Sequence, residues 1–184
     1  MKTSVEFRIY VGTYAKYNDG SLFGKWMDLS DYIDLKDFYQ ACLELHQDEK
    51  DPELMFQDWE YIPDFLISES SLNEYTFEYL EEVTGMDEDR ARALEIYCKD
   101  IASWPDKDKY FQELLEEFND CYHGYYGGPM KDPQIEYAYQ YVEDTGLLTD
   151  VSPTIERYFD YEAFAKDLFM DGYTQIEGHV FADY

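Results

Sequence analysis

Four carboxylates, Glu74, Glu78, Glu81 and Glu82, recur at three- and four-residue spacing within NEYTFEYLEEVTGMDED, residues 73–89. That stretch holds seven acidic side chains and no Lys or Arg. Closely set carboxylates support three kinds of chemistry. A pair can divide the roles of acid and nucleophile in glycoside hydrolysis. A ring of oxygens can hold a hard cation. A row can present charge to a cationic partner. On a helix this spacing makes the side chains neighbours, where like charges destabilise by roughly 0.2–0.5 kcal/mol per pair. A surface that needed only solubility would interleave Lys and gain a similar amount.

The first two chemistries find little support. The chain carries 42 acidic residues against 14 basic ones, a formal charge of −28 on 184 residues. With so many carboxylates, no particular pair stands out as a glycosidase dyad. Neither DEDRARALE nor YNDGSLFG supplies the D-x-[DN]-x-[DN]-G loop of a calcium site. His46, His123 and His179 have no metal spacing among themselves, and Cys121 with His123 is a lone pair of candidates. There is no GxSxG, P-loop or GxGxxG motif. A salt-adapted enzyme would also be acidic, but it would need a catalytic signature. The expectation is a protein with no catalytic residues, no metal and no cofactor.

The charge is spread along the whole chain. Residues 1–62 are net −7, residues 63–107 net −8 and residues 108–184 net −13. No segment has a basic patch, so direct nucleic-acid binding through phosphate neutralisation is not expected. Leu, Ile, Val and Phe total 42 residues, only slightly above the roughly 20% below which highly charged chains are disordered. Twenty Tyr and three Trp argue for a folded chain, because acidic disordered segments are poor in aromatics. Cys42, Cys98 and Cys121 form no CxxC and leave an odd thiol, so a disulfide framework is not expected and a reducing cytosol fits. MKTSVEFRIY interrupts its apolar residues with charge and reads as no signal peptide. No run of about 18 apolar residues exists, so no membrane association is expected.

The elements that position these residues read as α+β. VEFRIYVGTY alternates Val5, Phe7, Ile9 and Val11 on one side, the period of a strand. KYNDGS supplies a turn, and LFGKWMDL a return strand. Leu35, Phe38, Cys42 and Leu45 have helical spacing behind an N-cap at Asp31 or Asp34. LMFQDWEYI reads as a third strand, completing a small unit over residues 1–62. A central helical segment, 63–107, has one helix from about Leu72 to Val83, ending at Gly85, and another from about Asp87 to Ile101. The last segment, 108–184, opens with a helix at about 108–122 and breaks at HGYYGGP. It resumes from Pro133 to about Thr145, then gives a short helix capped by Asp160 and strand character in GYTQIEGHVF.

On a helical wheel, Glu81, Glu74, Glu78 and Glu82 fall within about 100° of arc, with Leu72, Tyr75, Tyr79, Leu80 and Val83 opposite and Phe77 straying to the charged flank. The helix at 108–122 repeats the plan. Glu113, Glu116, Glu117 and Asp120 face one way, and Phe111, Leu114, Leu115, Phe118 and Tyr122 the other. Such stripes serve equally as solvated faces or as a partner surface. Duplex DNA carries one charge per about 1.7 Å of axis, so 28 charges correspond to about 48 Å of duplex. A compact chain of this length is about 40 Å across. Its charge density is close to that of DNA, so carboxylates could sit where phosphates would in a DNA-binding groove. Asp87, Glu88 and Asp89 extend the candidate surface. Tyr122, Tyr125, Tyr126, Tyr137, Tyr139 and Tyr141 surround a Gly-Gly-Pro break, as an interface or as a Tyr-rich core.

IYVGTYAKYNDGSLFGKWMDL, MFQDWEYIP and GLLTDVSPTIERYFDYEAFAKDLFMDGYTQIEGHVF, in that order, resemble the ArdA family of antirestriction proteins. The central segment matches mainly in acidity and helical character. The resemblance implies an elongated dimer of three small domains (α+β, helical, α+β) that mimics bent B-form DNA. Such proteins travel on conjugative plasmids and transposons. They occupy the groove of type I restriction–modification enzymes, the methyltransferase core with its specificity subunit, and have no catalysis of their own. The family's antirestriction motif is similar to IEYAYQYVEDTGLL, residues 135–148, near the dimer contact of the C-terminal domain. On that basis Tyr137, Tyr141 and Leu147 are expected at the dimer interface. Glu74, Glu78, Glu81, Glu82, Asp87, Glu88, Asp89, Glu113, Glu116, Glu117 and Asp120 are expected on the mimicking surface. The competing reading is an acidic adaptor or chaperone for basic proteins, which would bind cationic partners indiscriminately.

Overall fold

Ile9 and Val11 are fully buried in the first strand, β1 (Arg8–Thr13), as their period-two spacing requires. The protein is described by a computed structural model covering residues 6–105, 109–128 and 132–183. Val5 and the first residue of the helix expected from 108 lie outside the described residues, as does Pro129 of the expected break. The architecture is α+β. The chain divides into two compact units, Met1–Asp87 with Ser103–Phe111, and Glu88–Ala102 with Gln112–Tyr184.

The first unit is built on an antiparallel sheet of order β2-β1-β3, with β2 at Lys25–Asp28 and β3 at Leu54–Glu60. A short helix, α1 (Tyr14–Asn18), leads from β1 into the turn at Gly20, whose φ of 77° suits glycine. Helix α2 (Leu35–Leu45) lays Phe38 and Cys42 on the sheet, where the Phe38 and Phe56 rings lie 6.0 Å apart and the Cys42 Sγ sits 3.9 Å from the Met27 sulfur. Asp34 is its N-cap, accepting from the Asp37 backbone N–H at 2.8 Å, while Asp37 accepts from the Ile33 N–H at 3.1 Å. Two otherwise unpaired donors are thus satisfied reciprocally. Asp31 lies in a 3₁₀ turn, Leu29–Asp31, and is not the α2 cap.

The helix expected from about Leu72 begins later. Leu72 pairs with Ile67 in a two-stranded hairpin, β4 (Ile67–Ser68) and β5 (Ser71–Leu72), and donates its N–H to the Tyr39 hydroxyl of α2 at 3.0 Å. Asn73 then accepts from the Tyr75 N–H at 2.8 Å, a local turn that competes with helix. Helix α3 therefore runs Thr76–Gly85. Trp104 and Phe111 complete this unit's core. The Trp104 ring lies 5.4 Å from Phe111, 5.6 Å from Tyr75 and 6.1 Å from Phe65.

The second unit starts with α4 (Glu88–Ile96), which passes into a π-helical turn, Tyr97–Ile101, within the expected helix to Ile101. Helix α5 (Phe111–Cys121) follows, then a strand, β6 (Tyr122–Tyr125), where a break was expected. Tyr122 is consequently half-buried in a strand and does not belong to the apolar face of α5. β6 pairs with β8 (His179–Ala182), which pairs with β7 (Tyr173–Ile176), giving an antiparallel sheet of order β6-β8-β7. Phe118, Tyr122 and Phe181 pack together at 5.2–5.5 Å. Helices α6 (Pro133–Thr145), α7 (Pro153–Arg157) and α8 (Tyr161–Asp171) complete the unit. Asp132 caps α6, Gly146 closes it with φ 65°, and Asp160 caps α8 as expected.

Asp34→Ala removes the α2 cap and is expected to cost about 1 kcal/mol, or about 2–4 °C in Tm. Asp31→Ala should stay within about 0.5 kcal/mol of the parent. Thermal melts of the two variants check the assignment.

Candidate partner-binding surface

Helix α3 is held by buried Thr76, Tyr79 and Leu80, which leaves Glu78 and Glu81 exposed and Glu82 half-buried on its outer side. Glu74 is exposed too, but it sits in the turn before α3 and so is not the first member of a four-residue helical stripe. On α5, Phe111, Leu114, Leu115, Phe118 and Cys121 are buried, with Glu113, Glu116 and Asp120 exposed on the other face. Glu117 is half-buried and accepts a hydrogen bond from the Tyr97 hydroxyl at 3.3 Å. Asp87, Glu88 and Asp89 are exposed around the start of α4. Glu88 and Asp89 fall in its first turn, where the helix dipole favours negative charge.

The candidates therefore form two groups. Glu74, Glu78, Glu81, Glu82 and Asp87 belong to the first unit, and the other six to the second. Within the second unit Arg90 hydrogen-bonds Asn119 and lies 5.1 Å from the Phe118 ring centre, which brings the start of α4 beside the C-terminal half of α5. Three cations pair with carboxylates outside the candidate set. Arg8 serves Glu6 and Glu60, Lys16 serves Asp48 and Glu49, and Arg92 serves Glu95 and Glu177. The α3 stripe and the exposed part of the α5 stripe remain outside these pairs.

Of the tyrosines near the Gly-Gly break, Tyr137 enters the second unit's core, Tyr122, Tyr126 and Tyr141 are half-buried, and Tyr125 and Tyr139 are exposed. Tyr137 is only 3% exposed, packed against Tyr173 at 5.1 Å and Phe169 at 5.7 Å, with its hydroxyl 3.2 Å from His123 Nδ1. Tyr141 is half-buried, and Leu147 is 49% exposed. Tyr139 stacks on Tyr161 at 3.7 Å.

One cluster escaped the sequence reading: His46, Asp48 and Glu49 bring potential ligand atoms within 4.8 Å of one another. Its sequence signal is the contiguous run HQDE. The site is filled by this chain's own cation. The Lys16 ammonium lies 3.0 Å from His46 Nδ1, 2.8 Å from Asp48, 3.2 Å from Glu49 and 4.5 Å from the centre of the Phe23 ring. Since the ammonium only donates, Nδ1 accepts and Nε2 carries the proton, directed at the Val11 carbonyl at 3.3 Å. Burial, and then the Lys16 charge, lower the His46 pKa. The three thiols are buried, and burial raises Cys42 and Cys98 to about 12 and Cys121 to about 11, which removes thiolate chemistry at neutral pH.

A family model described as antirestriction protein (ArdA) matches residues 9–181, nearly the whole chain. The chain belongs to the ArdA family. Membership makes it an antirestriction protein whose targets are restriction–modification enzymes. Among curated proteins, none matches. No helix among the described residues of this ArdA chain is long and apolar enough to cross a membrane.

His46 binds its proton more weakly folded than unfolded, so its neutral form contributes stability that is lost as pH falls below about 6.5. The denaturant midpoint should fall between pH 7.5 and 5.5. His46→Gln can still accept from Lys16 and donate to Val11, and should show a smaller fall over the same window. Urea titrations at the two pH values measure both.

Proposed function

We propose that this ArdA protein mimics B-form DNA and occupies the DNA-binding groove of type I restriction–modification enzymes, inhibiting both restriction and modification. The observation that carries this reading is the exposure of nine of the eleven candidate carboxylates, with Glu82 and Glu117 half-buried. Their spacing adds a quantitative argument. Glu113, Glu116, Glu117 and Asp120 advance along α5 by one charge per about 3.5 Å of helix axis. One strand of a duplex advances by one phosphate per about 3.4 Å. Glu78, Glu81 and Glu82 on α3 are set at about 3 Å per charge. A solvated face gains nothing from this density, whereas a surface meeting phosphate-binding Lys and Arg does.

The protein acts without catalysis and without a cofactor in this reading. The division into segments 1–62, 63–107 and 108–184 and pairing of two copies through the last segment, with Leu147 and Tyr141 at the contact and Tyr137 behind it, belong to the same proposal. So does action in the bacterial cytoplasm, where such enzymes meet incoming DNA. Having no base edges to offer, the mimic should inhibit type I enzymes of differing sequence specificity.

A competition titration tests the reading. A type I methyltransferase is held on a labelled duplex containing its site, and this protein is added at two salt concentrations. Displacement near one dimer per enzyme is expected, with a second enzyme specificity responding alike. No displacement where unlabelled DNA competes well would favour an indiscriminate acidic adaptor. Because many charges share the contact, one Glu→Gln change should alter affinity by no more than about fivefold. Neutralising Glu113, Glu116, Glu117 and Asp120 together should weaken it more than about tenfold. The same fourfold variant loses internal repulsion and should melt no lower than the parent.

A further inference from the structure

β3 ends at Glu60, and the next residue leaves the sheet in the left-handed backbone region, Tyr61 having φ 62°. A bulky residue is strained there, and glycine would relieve it. The side chain kept at this cost does little for the fold. Tyr61 is 70% exposed, and its ring makes no hydrogen bond, ring contact or cation–π contact with any described residue. Ile62, immediately after it, returns to the core at 5% exposure. The backbone thus presents Tyr61 outward between two inward anchors, β3 and Ile62.

The flanks of Tyr61 are organised as well. Trp59 donates its backbone N–H to Asp58 at 2.9 Å and its indole N–H to Asp64 at 3.2 Å. One residue therefore orients two exposed carboxylates that bracket Tyr61 in the chain. Glu60 between them is occupied by Arg8. An aromatic face attracts a cation through its quadrupole, and carboxylates three residues before and after it in the chain offer hydrogen-bond acceptors suited to a guanidinium. A net charge of −28 selects a cationic partner over an acidic one or a nucleic acid.

We propose that Tyr61 is an aromatic anchor that takes an Arg or Lys side chain of a cationic protein partner on its ring face, with Asp58 and Asp64 as the flanking acceptors. The proposal rests on the reading above, in which that partner is the phosphate-binding groove of a restriction–modification enzyme. It adds an uncharged contact to a surface otherwise described by charge alone.

Tyr61→Gly and Tyr61→Phe in the competition titration test it. Tyr61→Gly should melt within about 3 °C of the parent or above it, so lost binding cannot be laid to unfolding. Half-displacement should require at least about five times more of this variant. Its salt dependence should keep the parent's slope, since no charge is removed. Tyr61→Phe keeps the ring and should stay within about twofold of the parent. If Tyr61→Gly displaces DNA as well as a competent parent, or instead changes the oligomeric state in sedimentation, the anchor is refuted while DNA mimicry stands. A parent that displaces nothing refutes both.

Discussion

Self-repulsion is the constraint to which the rest of this structure answers. Forty-two carboxylates against 14 cations must be carried by a chain short of aliphatic residues. The opposing force comes from rings. Phe38 and Phe56 close one core, and Phe118, Phe181 and Tyr97 another, each aromatic burying far more area than an aliphatic side chain could. Many acids also work for the fold. Asp34, Asp132 and Asp160 cap helices, and Glu88 and Asp89 sit where a helix dipole welcomes them.

The few cations are placed with similar economy. Arg8, Lys16 and Arg92 each serve two carboxylates. Each also joins elements distant in sequence: Arg8 joins β1 to β3, Lys16 joins α1 to the loop after α2, and Arg92 joins α4 to the β7–β8 turn. Neutralisation is spent where backbones must meet. An anionic surface on α3 and α5 is the remainder of that distribution, and it is the surface proposed above to meet a restriction–modification enzyme.

Periodicity made most of this legible. The three strands of the first sheet, α2 with its Asp34 cap, α6 and the Asp160-capped α8 were all readable, because apolar spacing and capping residues agreed locally. The start of α3 was not, since Leu72 fits a helical wheel as well as a strand and its choice depends on Tyr39 and Ile67. β6 was hidden because Cys-Tyr-His-Gly-Tyr-Tyr has no aliphatic alternation and its register shifts between Tyr122 and Gly124. The Lys16–His46 cluster joins residues 30 positions apart, which no spacing rule detects. Tyr61 looked like the end of a strand, and only its backbone angle sets it apart.

The path of the chain has a consequence of its own. It passes from one compact unit to the other at 87/88, returns at 102/103 and crosses again at 111/112. Neither unit is a continuous stretch of sequence. A fragment beginning at residue 112 would lack Leu94, Ile96, Tyr97 and Cys98, which are buried in the second unit. One ending at 87 would lack Trp104 and Phe111, which are buried in the first. Each half is thus completed by residues encoded on the far side of the other. No single cleavage yields two whole pieces, and a gene truncated at any one point loses part of a core rather than a detachable module.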